Sequence, residues 1–204
     1  MSTPKRAAPM APEARRASII AATLPLLRTY GRGVTTSQIA LAAGVAEGTL
    51  FRAFPDKDAL LAAAIASAFD PAPTEREIRA IDPALPLRAK LIEAVEILQR
   101  RTERVWQLIT VLALPTPPPQ RAKEGPAPLH DAALGSALEA LFEPHRDELR
   151  CEPAFAMRLL RAVAFAASHP RLTEGPLLTP GEIVAVLLDG LRPRSEEDFE
   201  SEVG

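Results

Sequence analysis

The sequence predicts an all-α protein, and three observations carry that prediction. Its apolar residues are mainly Ala and Leu, both of which favour helices. Aromatic residues make up only 4% of the chain, and Trp106 and Tyr30 are the sole Trp and Tyr, so the core must be aliphatic. No stretch alternates apolar and polar residues in the Val-, Ile- and Thr-rich manner of a strand. With 204 residues, 47% apolar and 25% charged, the chain has the length and composition for a sizeable core.

The elements follow in order. Residues 1–12 hold Lys5, Arg6 and several prolines and read as a disordered basic arm. Ile19, Ala22, Leu26 and Tyr30 share one face of a first helix, which Gly31 and Gly33 stop and Pro25 should kink or shorten. Two short helices, 36–43 and 47–54, flank Gly44, and Pro55 and Asp56 end the second. Asp56 is placed to cap a further helix over 57–69. Asp70-Pro71-Ala72-Pro73 then breaks the chain, which bounds a first domain at 13–70.

A second domain is expected over 74–193. It opens with an ill-defined stretch at 74–86. A long helix follows over 87–114, with Leu87, Leu91, Val95, Leu98, Val105, Ile109 and Leu112 as its buried stripe. Residues 115–128, with six prolines, read as a loop. Helices are expected over 129–150, where Pro144 should disturb the end, over 152–168, which His169-Pro170 closes, and over 180–191. The acidic tail 194–204 reads as disordered.

Charge is unevenly spread. Residues 1–60 carry eight basic against four acidic side chains, and the remainder carries 16 basic against 22 acidic. A basic head on an acidic body is the asymmetry a phosphate-binding module shows. Cys151 is the only cysteine, so no internal disulfide forms, in keeping with a reducing compartment. The N-terminus lacks the apolar core of a secretory signal, and the longest apolar run, 60–69, is too short to span a bilayer. A cytoplasmic protein without a membrane partner is expected.

The segment 35–57, TTSQIALAAGVAEGTLFRAFPDK, carries the functional reading. Thr35 and Gln38 have capping-box spacing. Ile39 and Ala40 face inward, and Ala40 lets the next helix cross closely. Gly44 stands where the turn needs a positive φ. Val45 fills the space between the helices, and Leu50 and Phe54 anchor the second one. Ala46, Glu47, Gly48, Thr49, Arg52 and Ala53 are left outward, a small or polar surface that fits a major groove. This is a helix-turn-helix over 35–54. Arg52 suits guanine O6 and N7, or alternatively a phosphate; Glu47 suits cytosine N4, or alternatively the dipole of its own helix. Arg15 and Arg16 either reach phosphates or keep the first helix soluble.

From residue 16 to residue 65, about a quarter of the chain, the sequence resembles the DNA-binding head of tetracycline-repressor-like (TetR family) regulators. Thr35, Thr36, Ile39, Ala40, Ala43, Gly44, Val45, Gly48, Thr49, Leu50, Phe54, Lys57 and Leu60 stand in register with that family's motif. The resemblance implies phosphate contacts from Thr35 or Thr36, a phosphate or base contact from Thr49, and a phosphate contact from Lys57. The expected DNA-binding set is therefore Thr35, Thr36, Ser37, Ala46, Glu47, Gly48, Thr49, Phe51, Arg52 and Lys57. Two positions depart from the pattern. Ala46 replaces a capping serine, and Phe51 replaces a tyrosine, which removes a phosphate-bonding hydroxyl.

The resemblance further implies a three-helix helix-turn-helix head and a C-terminal helical bundle that dimerises and holds a small-molecule effector. Helices near 154–168 and 180–191 are the dimer candidates, with Ala162, Ala166, Ala185 and Gly190 allowing close approach. Trp106, Phe142, Phe155, Met157 and Phe165 suit plain core better than a pocket. The expected function is a homodimeric repressor released from a palindromic, double-stranded operator by its effector. A helix-turn-helix protein without ligand control is the alternative. An enzyme is disfavoured. His130, His145, His169 and Cys151 form no HExxH or CxxC signature, and there is no phosphate-binding glycine loop and no GxSxG. No cofactor and no metal site are expected.

Overall fold

The computed structural model of the chain describes residues 11–113, 131–168 and 176–191, and every regular element among them is a helix. Most of the basic arm, the six-proline loop, the His169-Pro170 stop and the acidic tail lie outside the described residues. The chain divides into two compact units. One holds the residues up to Asp70 together with the end of the long helix from Gln107, and the other holds the rest.

In the first unit, α1 (Pro12–Tyr30) packs against α2 (Thr36–Ala43), α3 (Glu47–Ala53) and α4 (Lys57–Phe69). Helix α1 begins inside the stretch expected to be a disordered arm. Pro12 sits in its first turn, where a missing N–H costs nothing and the fixed φ suits a helix. Its buried face is Ile19, Thr23 and Leu27, not the expected Ala22, Leu26 and Tyr30, and Tyr30 is exposed. The physical reason is Thr23. Its hydroxyl donates to the Ile19 carbonyl at 2.8 Å, so a polar residue is buried with its hydrogen bond made. Burying Ile19 and Leu27 is worth about 1.5–3 kcal/mol each. Helix α1 also runs past Pro25 to Tyr30. Pro25 and Ala21 both lie on the exposed side, where water can reach the carbonyl that Pro25 leaves unbonded.

A short 3-10 turn, Gly31–Gly33, follows α1. Gly31 has φ +56°, and a Cβ there would meet Val111 Cγ1 at 3.4 Å and the Val111 carbonyl oxygen at 3.6 Å. A Cβ would thus meet only ordinary van der Waals contacts, and it is the positive φ that calls for glycine. Helix α4 is started as expected by Asp56, whose carboxylate accepts from the Ala59 N–H at 2.7 Å. It buries Leu60, Leu61, Ala64, Ile65 and Phe69.

The second unit opens with α5 (Ala72–Arg79), where an ill-defined stretch and a proline break were expected. Pro71 and Pro73 fall at the cap and first turn, the one part of a helix that tolerates proline. Thr74 and Ile78 are its buried residues, and Glu75 pairs with Arg79 at 2.9 Å. Helix α6 (Leu87–Leu112) supplies the expected stripe, although Val105 is only half-buried. Asp131 caps α7 (Ala132–Phe142), accepting from the Leu134 N–H at 2.9 Å. Here the helix expected over 129–150 is cut short. Pro144 stands at the start of a 3-10 segment, Glu143–Glu148, and His145 leaves helical geometry.

Helices α8 (Pro153–Ala167) and α9 (Pro180–Leu191) complete this unit. Its core joins Leu91, Ala94 and Val95 of α6 to Leu138 and Phe142 of α7, Ala156 and Leu160 of α8, and Val184 and Leu188 of α9. Helix α9 starts with a capping box. The N–H and hydroxyl of Thr179 both donate to Glu182 Oε2 at 2.8 Å, and the Glu182 N–H donates back to Thr179 Oγ1 at 3.2 Å. The Thr179 backbone and side-chain bonds together hold the Glu182 carboxyl below its ordinary value.

Candidate nucleic-acid interface

Helix α2 begins at a complete capping box. The Gln38 N–H donates to Thr35 Oγ1 at 3.2 Å, and the Thr35 N–H donates to Gln38 Oε1 at 2.8 Å. The Thr35 hydroxyl also donates to Gln38 Oε1 at 3.1 Å, so it is engaged in starting its own helix. Ser37 lies exposed in the first turn, where helical geometry leaves backbone N–H groups directed outward. Gly44 ends α2 in the left-handed region at φ +65°, ψ +31°, and the Val45 N–H returns to the Ala40 carbonyl at 3.0 Å. That turn aims α3 across α2.

Helix α3 is only seven residues long and, with Ala46 at its N-cap, has no side-chain cap. Leu50 and the C-cap residue Phe54 are buried and fix its inner face. Ala46, Glu47, Gly48, Phe51 and Arg52 are exposed, while Thr49 and Ala53 are half-buried. Gly48 has open space where a Cβ would stand, so the backbone there is accessible to a close partner. The Phe51 ring, 51% exposed, stands on this outer face as an apolar surface.

Three polar contacts tie the motif together in ways the sequence reading missed. The Thr36 hydroxyl donates to Glu47 Oε1, joining the first turns of α2 and α3. In this arrangement Thr36 and Glu47, expected at phosphate and at cytosine or the helix dipole, satisfy each other. The Lys57 ammonium, expected at phosphate, donates to the Arg32 carbonyl at 3.0 Å and keeps two further N–H donors. Arg16 Nη1 donates to the Ala53 carbonyl at 2.6 Å, and its guanidinium lies 4.1 Å from the centre of the Phe54 ring. Helical spacing was the available signal, since Arg16 stands one turn before Ile19 on the buried stripe of α1.

Arg15, Arg16, Thr49 and Arg52 line one open depression of about 380 Å³, together with Pro12, Glu13 and Ala53. The structure thus brings Thr49 and Arg52, both in the expected set, beside two arginines that had no firm role. With the Arg16 guanidinium turned to the Ala53 carbonyl and the Phe54 ring, Arg15 and Arg52 against the single carboxylate of Glu13 leave a basic surface suited to a phosphate backbone. Among the described residues, no group of three or more His, Cys, Asp or Glu is placed to hold a metal ion. No helix among them is long and apolar enough to cross a membrane.

Residues 19–64 match the family model for bacterial regulatory proteins of the tetR family. No curated protein is a significant match to the chain. Among solved structures, a TetR transcriptional regulator from Streptomyces coelicolor is 24% identical, with a TM-score of 0.55, over 88% of this chain and 99% of that one. A TetR/AcrR-family regulator from Thermobifida fusca is 22% identical, with a TM-score of 0.56, over 88% and 99%. The repressor of the Stenotrophomonas maltophilia multidrug efflux pump SmeDEF is 21% identical, with a TM-score of 0.53, over 90% and 93%. These likenesses show a shared all-α fold.

Proposed function

We propose, on the premise that residues 19–64 form a head of the tetR family of bacterial regulatory proteins, that the chain is a homodimeric, cytoplasmic transcriptional repressor. Each head places α3 in a major groove of duplex DNA, and a small molecule held by the C-terminal unit releases it. The observation that carries this reading is the outer face of α3. It is small, polar or singly apolar at Ala46, Glu47, Gly48, Phe51 and Arg52, on a helix whose other face is locked by Leu50 and Phe54. The arginine-lined depression beside it supports backbone contact. The expected DNA-binding residues Thr35, Thr36, Ser37, Thr49 and Lys57 flank this face. The domains are proposed at 13–70 and 74–193.

Dimerisation is supported by an unfilled apolar stripe. Phe155, Ala162 and Ala166 lie exposed along α8, and Val186 of α9 is 70% exposed. The repressor role is supported by the family of the head and by one neighbour of the same fold that is itself a repressor. The palindromic operator follows from two-fold symmetry, with half-sites about one helical turn or a small multiple apart.

Selection of duplexes from a random pool by the pure full-length protein tests the reading. The expected product is an inverted repeat bound by a species of twice the chain mass. A pool with no enriched sequence overturns it. A folded Thr49→Ala, Lys57→Ala double variant that binds the selected duplex as tightly as wild type refutes the assigned surface. If no metabolite ever weakens binding, the regulator lacks ligand control.

A further inference from the structure

We infer that Arg16 is a positioning residue that sets the lie of α3 and thereby governs discrimination between DNA sequences. This rests on the DNA-binding reading above. Seven residues make a helix that cannot hold itself in water, because nucleation costs more than so few hydrogen bonds return. Its position must come from outside. At its N-terminus Ala46 supplies no side-chain cap. At its C-terminus the Phe54 N–H bonds to the Leu50 carbonyl, but the carbonyls that follow have no helical partner.

Arg16 takes that place. Nη1 donates to the Ala53 carbonyl at 2.6 Å, and the guanidinium lies 4.1 Å from the centre of the Phe54 ring, which is only 2% exposed. The hydrogen bond fixes the helix end along its axis. The stacking contact fixes which way that end faces. A cation at a helix C-terminus is also favoured by the dipole. The anchor itself is firm, because Arg16 stands one turn before Ile19, which is fully buried. Arg52 and Phe51 lie one and two residues before Ala53, so any loosening there displaces the outer face directly. Lysine would keep the charge but lose the planar, simultaneous contacts.

The alternative role for Arg16 is a plain phosphate contact, and the two roles predict different measurements. The test compares full-length wild type, Arg16→Lys and Arg16→Met. Readouts are amide exchange of peptides spanning α3, thermal midpoint, and affinity for the selected duplex and a scrambled duplex across salt concentrations. Both variants should speed exchange in α3 about tenfold while peptides from α1 and α4 stay protected, as loss of a charged hydrogen bond allows. Preference for the selected over the scrambled duplex should fall about tenfold in Arg16→Lys, with binding to the scrambled duplex unchanged. Equal losses on both duplexes, with the salt slope reduced by about one and α3 exchange unaltered, would assign a phosphate contact and overturn the inference. A uniform rise in exchange across α1, α3 and α4 would also overturn it, by making Arg16 a general stabiliser. If wild type selects no sequence, the DNA-binding reading fails, and the exchange comparison still decides whether Arg16 holds α3.

Discussion

The hydroxyl of Thr36 is hydrogen-bonded to the carboxylate of Glu47, so the first turns of the two motif helices are clasped across the intervening turn. Glu47, expected either at a cytosine or at the dipole of its own helix, is thereby bonded to a neighbouring side chain on the surface. Glu47 also sits in the first turn of α3, where a negative charge suits the dipole.

Glu47→Gln keeps an acceptor for Thr36 and removes a charge that phosphates repel. Affinity for the selected duplex should rise about twofold to fivefold with base preference intact. Titration with the selected duplex and repeated selection check both parts. A changed preference at a single base position would mean that Glu47 reads that base.

Ala46→Ser supplies the cap that α3 lacks. Stability should rise by about 1 kcal/mol, read from the urea midpoint at an unchanged slope. No gain would mean that the bond from the Thr49 N–H to the Ala46 carbonyl, at 2.8 Å, already meets the need.

Phe51→Tyr restores a hydroxyl on an exposed ring of the outer face. Binding to the selected duplex should tighten about threefold to tenfold through one added hydrogen bond. The unliganded protein should keep its thermal midpoint, because the ring edge already faces solvent. Unchanged binding would place Phe51 away from the phosphates.

The two capping boxes respond differently to acid. Thr179 holds the Glu182 carboxyl below its ordinary value, so this group stabilises the fold above its unfolded pKa, and the contribution is lost as pH falls through the lower folded value. The box at α2 uses Gln38 and does not titrate. Below pH of about 4, peptides at the start of α9 should therefore exchange faster relative to those at the start of α2. In Glu182→Gln that relative change should vanish.

What was legible in the sequence was local. The Thr35–Gln38 box, Gly44, Asp56 and the Leu50–Phe54 anchor were readable because each acts within a few residues of itself. Helix α5 was not, because Pro71 and Pro73 signal a break unless they are known to fall at a helix start. The inner face of α1 was misread because Thr23 is polar, and its bond to Ile19 shows only in three dimensions. The contacts Thr36–Glu47, Lys57–Arg32 and Arg16–Ala53 join residues 11, 25 and 37 positions apart, with no periodic pattern linking them. Thr36, Glu47 and Lys57, three of the side chains so engaged, belong to the expected DNA-binding set.

The end of α6 from Gln107 clusters with a head that otherwise stops at Asp70. Such a head is not a cassette. Grafting residues 1–70 onto another body, by recombination or by design, leaves behind the buried Leu108, Ile109 and Leu112 and the Val111 that Gly31 closely approaches. A chimera that keeps its DNA preference must carry two separate pieces of chain, or receive an equivalent helix end from its new partner.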